Sequence, residues 1–216
     1  ENETELNQIE NISLYTLDVT DDASIANATE KIISDFGTVN VVLNNAGYAV
    51  AGSFEAATTE QIQSQFNTNV FGLMGVTRAF LPHFRANKAG LFLNVSSIGG
   101  LITFPLISLY HSTKWAVEGF SESLSYEMSE FGIQVKIIEP GGVDTDFSGR
   151  SMAFTSQEGL TDYDAIIGKF QGNMAKSGLG GSTAEYLAEG IYQAATDEKN
   201  QLRYLIGNDA VQTYAM

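Results

Sequence analysis

Val39-Asn40-Val41-Val42-Leu43-Asn44-Asn45-Ala46-Gly47 is the stretch on which the fold turns. Three of its first five residues are valine, a density of β-branched side chains that suits a short buried strand. The run ends on small and polar residues, Asn44 to Gly47, which allow a tight turn and the close approach of a ligand. Upstream, Leu14 to Val19 reads as another strand, ending in a turn around Asp18. Between the two, Ile25, Ala28, Ile32, Ile33 and Phe36 recur at helical spacing, so Asp21 to Phe36 is predicted as a helix stopped by Gly37.

The same alternation continues downstream. A long helix begins near Thr58, where Thr58 and Gln61 have capping-box spacing, and runs towards Phe84 with a break expected before Pro82. Leu91 to Val95 is a second buried strand. Ser108 to Phe131 is a second long helix, closed by Gly132. Ile133 to Ile138 is a strand stopped by Pro140-Gly141-Gly142, Ser182 to Thr196 is a helix opened by Ser182 and Glu185, and Leu202 to Ile206 is the last strand. Apolar strands alternating with helices imply a parallel sheet covered on both faces, a doubly wound, Rossmann-like α/β domain. Residues 1–216 are read as one such domain. Residues 141–181, rich in glycine and serine with a helical patch near Tyr163 to Phe170, are read as a substrate-binding lid.

Composition narrows the function. The chain has 216 residues, 44% hydrophobic and 17% charged, with a formal net charge of −15. So acidic a surface disfavours nucleic acid and anionic membranes as partners, and an anionic cofactor would need local positive charge from a lysine or a helix N-terminus. Cysteine is absent, which excludes thiolate catalysis and disulfides. The acidic residues show no metal-ligand spacing, so no metal is expected. No apolar run is long enough to span a bilayer, and the first residues lack signal-peptide character, so a cytoplasmic location is the expectation.

In folds of this kind, ligands bind beyond the carboxyl ends of the strands. Three strand ends there are small or polar: Asn44 to Gly47, Ser96-Ser97, and Pro140-Gly141-Gly142-Val143-Asp144-Thr145. Tyr110 and Lys114 lie four apart on a predicted helix and share a face. A tyrosine hydroxyl, with a reference pKa near 10, is a poor acid–base group at neutral pH unless a neighbouring ammonium favours the phenolate. A serine hydroxyl nearby would stabilise charge developing on a carbonyl oxygen. Taken alone, a Tyr-x-x-x-Lys pair is usually ordinary helix surface or core. Asp18 has the alternative of capping the helix that follows it, Asn69 that of a satisfied mid-helix polar residue, and Pro140-Gly141-Gly142 that of a plain strand stop. His83 and His111 read as ordinary helix residues, with His111 bordering the pocket.

Together these motifs resemble the short-chain dehydrogenase/reductase family. Tyr110-x-x-x-Lys114 with Ser97 thirteen positions earlier resembles its active-site signature, and Asn44-Asn45-Ala46-Gly47 its second cofactor motif. Asn69 falls where the family places a catalytic asparagine. Asp18-Val19 resembles the pair that contacts adenine, and Pro140-Gly141 through Thr145 the segment holding the nicotinamide carboxamide. The resemblance implies an oxidoreductase that moves a hydride between NAD(H) or NADP(H) and a carbonyl or a primary or secondary alcohol. Tyr110 is implied as acid/base, with Lys114 tuning it and holding the ribose. Ser97 would orient the substrate oxygen, and Asn69 would shape a helix kink and hold a water. The implied cofactor contacts are Asp18, Val19, Asn45, Ala46, Gly47, Tyr110, Lys114, Pro140, Gly141, Val143 and Thr145. A homodimer or homotetramer through the two long helices is implied as well. The lid residues Phe147, Met152, Phe154, Leu160, Tyr163, Ile166, Ile167 and Phe170 suggest an apolar, steroid- or retinoid-like substrate.

One family element is absent. No glycine-rich turn precedes the strand ending at Asp18, so a strand–helix–strand unit of roughly 30 residues is expected to be missing from the front. The expectation is a fragment whose sheet has unpaired edges and which binds cofactor weakly or misfolds. A non-catalytic dinucleotide-binding module and an inactive fragment are the rival readings.

Overall fold

The computed structural model describes residues 6–144, 147, 151–176 and 181–215, without the side chains of 171 and 173–176. Thr145 lies outside the described residues. Helix α1 (Asp22–Phe36) opens on Asp21, whose carboxylate accepts from the Ala23 amide, and closes on Gly37 at φ 71°. Strand β1 (Val41–Asn44) follows, then a short strand β2 (Ala49–Ala51). The predicted capping box holds at α2 (Thr59–Phe66): Thr58 Oγ1 accepts from Gln61 N, and Gln61 Oε1 from Thr58 N. A π-helical turn, Asn67–Gly72, joins α2 to α3 (Leu73–Asn87). Strand β3 (Gly90–Val95), helix α4 (Ser108–Ser129) and strand β4 (Ile133–Pro140) come next. The remainder is β5 (Val143–Asp144), β6 (Met152–Phe154), α5 (Asp164–Lys176), β7 (Ser182–Thr183), α6 (Ala184–Thr196), β8 (Arg203–Ile206) and α7 (Asn208–Tyr214).

The main sheet is parallel throughout, in the order β1-β3-β4-β8. Side chains alternate across β3, and so do its partners. Phe92 packs with Phe80 and Phe84 of α3, Leu124 and Met128 of α4, and Ile25 of α1. Leu91 and Leu93 point the other way, onto Ala194 of α6 and Ile138. Helices thus cover both faces, as a parallel sheet requires. None of the described helices is long and apolar enough to cross a membrane.

Several expectations need correction. Leu14 to Val19 is not a strand: no described strand runs beside it to complete a ladder, and Leu14 and Leu17 remain exposed. Strand β1 is half-buried rather than buried. Val42 and Asn44 face α3, whereas Val41 and Leu43 are exposed because no described helix covers that face of the edge strand. The helix does not break before Pro82; it carries Pro82 within α3 and puts its irregularity at Asn67–Gly72 instead. Thr183, not Ser182, caps α6, its hydroxyl accepting from Tyr186 N, because the first helical turn begins at Ala184.

Candidate active site

Parallel strands put their carboxyl ends on one side of the sheet, and a cleft of about 910 Å³ opens there. Asn45 and Gly47 enter it from the end of β1, Ser96 and Ser97 from β3, and Pro140 to Val143 from β4. Tyr110 and Lys114 reach it from the first turns of α4. Of the residues assigned from sequence, these meet as expected. Ala46 lies between two lining residues without lining the cleft itself. Asp18 and Val19 do not line it. The Asp18 carboxylate is turned into its own loop, accepting from the Thr20 amide and hydroxyl, which hold its pKa below the usual range. Val19 instead packs against Gly72, where an added Cβ would stand 2.8 Å from Val19 Cγ2.

The π-helical turn accounts for Asn69. One extra residue in the turn brings a buried side chain inward behind Gly47. Its Nδ2 donates to Tyr48 O at 2.8 Å and Thr113 Oγ1 at 3.0 Å, and its Oδ1 accepts from Tyr48 N at 3.0 Å. Both amide N–H groups are therefore engaged in fixing the Gly47–Tyr48 turn to α4.

Ser97 Oγ accepts from Gly99 N at 3.0 Å and lies within hydrogen-bonding reach of the Tyr110 hydroxyl. Burial pushes the Tyr110 pKa up, and the Ser97 hydrogen bond only partly offsets it. Lys114 is buried, its Nζ 5.6 Å from the centre of the Tyr110 ring and donating to Val95 O at 2.8 Å. Burial draws its pKa down to about 8, against the pull of Glu118 one turn further along α4. At neutral pH the pair is therefore a neutral phenol beside an ammonium that gives up its proton readily.

Features with no sequence signal flank the site without lining the cleft. Arg203 of β8 faces three carboxylates: Glu118 at 3.1 Å, Glu122 at 2.6 Å and Glu139 at 3.3 Å. Glu118 and Glu139 are buried, and Glu139 is pushed up to about 8 by burial and by Glu118. A raised folded-state pKa contributes stability that is complete below the unfolded value and lost as pH rises through the folded one. Stability should therefore fall between about pH 5 and pH 8, and Glu139→Gln should flatten that fall by about 1 kcal/mol or more. Urea melts at the two pH values check this; a variant curve parallel to the wild type would place the buried proton elsewhere. On the opposite rim, Asp209 Oδ2 accepts from Gly142 N at 2.6 Å and anchors the Pro140–Val143 segment. Helix α7, which carries Asp209, has too short an apolar pattern to be read from sequence.

Comparison with known proteins agrees with this geometry. The family model for short-chain dehydrogenases matches residues 1–155. An oxidoreductase of Schizosaccharomyces pombe is 44% identical over 211 residues, 98% of this chain and 88% of that protein. A short-chain dehydrogenase structure from Streptomyces avermitilis superposes with a TM-score of 0.86 at 32% identity, covering 99% of this chain and 77% of its own. The structure of ElxO with NADP bound superposes at 0.72 and 30% identity, covering 91% of this chain and 77% of its own. With a parallel sheet, Ser97, Tyr110 and Lys114 in one cleft, and relatives of this closeness, the chain belongs to the short-chain dehydrogenase/reductase family of oxidoreductases.

Proposed function

We propose that the chain is an NAD(P)-dependent reductase of carbonyl compounds, with Tyr110 as the general acid. The observation that carries this reading is the meeting of Ser97, Tyr110 and Lys114 at the strand ends, with Tyr110 kept protonated by burial. A dinucleotide suits the residues present. The cleft is large enough, and Lys114 supplies local positive charge in so acidic a chain. Asn45, Gly47, Lys114, Pro140, Gly141 and Val143 would hold it. When bound, the nicotinamide supplies the hydride for the carbonyl carbon.

The chain's own residues handle the oxygen. Ser97 Oγ receives the Gly99 amide, so its own proton is available to the carbonyl oxygen. As the carbon–oxygen π pair moves onto that oxygen, Tyr110 gives it the hydroxyl proton. The charge left on the phenolate faces the Lys114 ammonium, which returns a proton to it and is itself reprotonated from solvent. In the reverse direction the same groups remove the alcohol proton.

Among the residues lining the cleft, Ala49, Ile98, Ile107, Phe147, Met152 and Leu187 are apolar. Of the eight lid residues named from sequence, Phe147 and Met152 reach it; Phe154 is 65% exposed, and the Tyr163 hydroxyl donates to Glu55 outside it. Strand β6 pairs with β2 at the rim, Met152 opposite Ala49, which supports the reading of residues 141–181 as a lid. These contacts favour a hydrophobic ketone or aldehyde. Incubation with NADPH or NADH and a panel of apolar and polar carbonyl compounds tests this, following loss of nicotinamide absorbance. Faster turnover of the apolar members is expected; bound cofactor with no turnover of any would leave only a binding module. The same reading makes the chain a homo-oligomer through its two long helical stretches, α2 to α3 and α4, on which Phe71 and Trp115 are 58% and 52% exposed. A monomer by light scattering would overturn that.

A further inference from the structure

Ser97 and Tyr110 are joined by a twelve-residue connection, and one side chain ties it together. His111, next to Tyr110 on α4, is buried and does not line the cleft. Its Nδ1 lies 2.7 Å from Gly99 O, and its Nε2 accepts from Phe104 N at 2.8 Å. A carbonyl oxygen only accepts and an amide only donates. The imidazole must therefore carry its single proton on Nδ1 and remain neutral. Burial lowers its pKa in keeping with that state, and among the described residues no charged side chain acts on the ring. A charged imidazole would put an N–H against the N–H of Phe104. Gly99, held by its carbonyl, sends its own amide to Ser97 Oγ at 3.0 Å. An added Cβ at Gly99 would stand 2.8 Å from His111 Nδ1, so the fit is close.

We propose that His111, through Gly99, is a positioning residue that sets the Ser97 hydroxyl for the substrate carbonyl. The chain of contacts is His111 Nδ1–H to Gly99 O, then Gly99 N–H to Ser97 Oγ. With that lone pair filled, the Ser97 proton is directed forward. This inference rests on the reductase reading above, in which Ser97 polarises the carbonyl.

The test has a spectroscopic arm and a kinetic arm. The chain has two histidines, so nitrogen NMR of ¹⁵N-histidine-labelled protein yields two rings, and His111→Gln identifies which is which. The His111 ring should show a protonated Nδ1 and a bare Nε2 through neutral pH. A proton on Nε2, or a charged ring at neutral pH, overturns the proposal. For the kinetic arm, the variants are assayed with the best carbonyl compound of the panel. Ser97→Ala should lower kcat about 100-fold, and His111→Gln about tenfold, the worth of one misplaced hydrogen bond, with cofactor affinity unchanged. The double variant should be no slower than Ser97→Ala by more than about twofold, because the histidine acts through the serine. Fully additive losses overturn the role of His111. Tyr110→Phe is measured alongside. If it stays active, the reductase reading itself falls; if it is dead while the losses are additive, only the role of His111 falls.

Discussion

Tyr110→Phe should lower turnover by about 10³-fold, in the middle of the range for a positioned proton donor, while changing dinucleotide affinity by no more than about tenfold, the worth of one hydrogen bond. The substitution removes a single oxygen and keeps the ring. The ring makes contacts of its own: its centre lies 6.1 Å from that of Phe147, edge-on, and 5.6 Å from Lys114 Nζ. Phenylalanine preserves both, so the cleft wall stands and the fold is undisturbed. What is lost is the proton. Ser97 remains to polarise the carbonyl, yet its hydroxyl is a much weaker acid than a phenol. Stopped turnover with bound cofactor, seen by fluorescence titration beside a steady-state assay, is the expected pattern. Retained turnover would mean that another group protonates the substrate. A parallel loss of cofactor binding would mean that Tyr110 serves affinity more than chemistry.

The helices and the inner strands could be read from sequence because their signals are local. Asp21 and Thr58 announce helix starts, Gly37 announces a stop, and Leu91 to Val95 is apolar on both faces because helices cover both. Leu14 to Val19 has the same composition as a strand but finds no partner among the described strands, and pairing is not a property of the segment itself. The trio proposed as catalytic was legible for a related reason: Ser97 follows a strand, and Tyr110 and Lys114 are one turn apart. The rest of the site depends on contacts distant in sequence. Glu139 meets Arg203 only because β4 and β8 are adjacent, and Asp209 meets Gly142 across 67 positions. His111 was misplaced because the direction of a ring is not written in its position on the helix. Its position beside Tyr110 suggested the pocket wall, whereas its ring turns inward to Gly99 and Phe104.

Lys114→Met should give a protein that is more stable and nearly inactive. Burial draws the lysine from 10.5 down to about 8, so at neutral pH the fold bears the cost of keeping a desolvated ammonium. That displacement corresponds to about 3 kcal/mol. Methionine has similar length and no charge, and it forgoes the hydrogen bond to Val95 O, a loss of about 1 kcal/mol. The net gain at pH 7 is about 2 kcal/mol. Glu118 loses a cation neighbour but keeps Arg203 at 3.1 Å, so its carboxylate is not stranded. The sign with pH follows from the depressed value. The unfolded chain binds the proton more tightly, so the lysine's contribution is best above about 10.5 and is lost as pH falls through about 8. The wild type should therefore gain stability over that interval on this account, and the variant should not. Turnover should fall by about 10³-fold, because the phenolate left after proton donation has no ammonium to face. A variant that melts below the wild type at pH 7 would show that Lys114 holds the fold together through Val95 more than burial strains it. A gain in melting temperature with loss of turnover would identify Lys114 as a group kept for chemistry at the expense of stability.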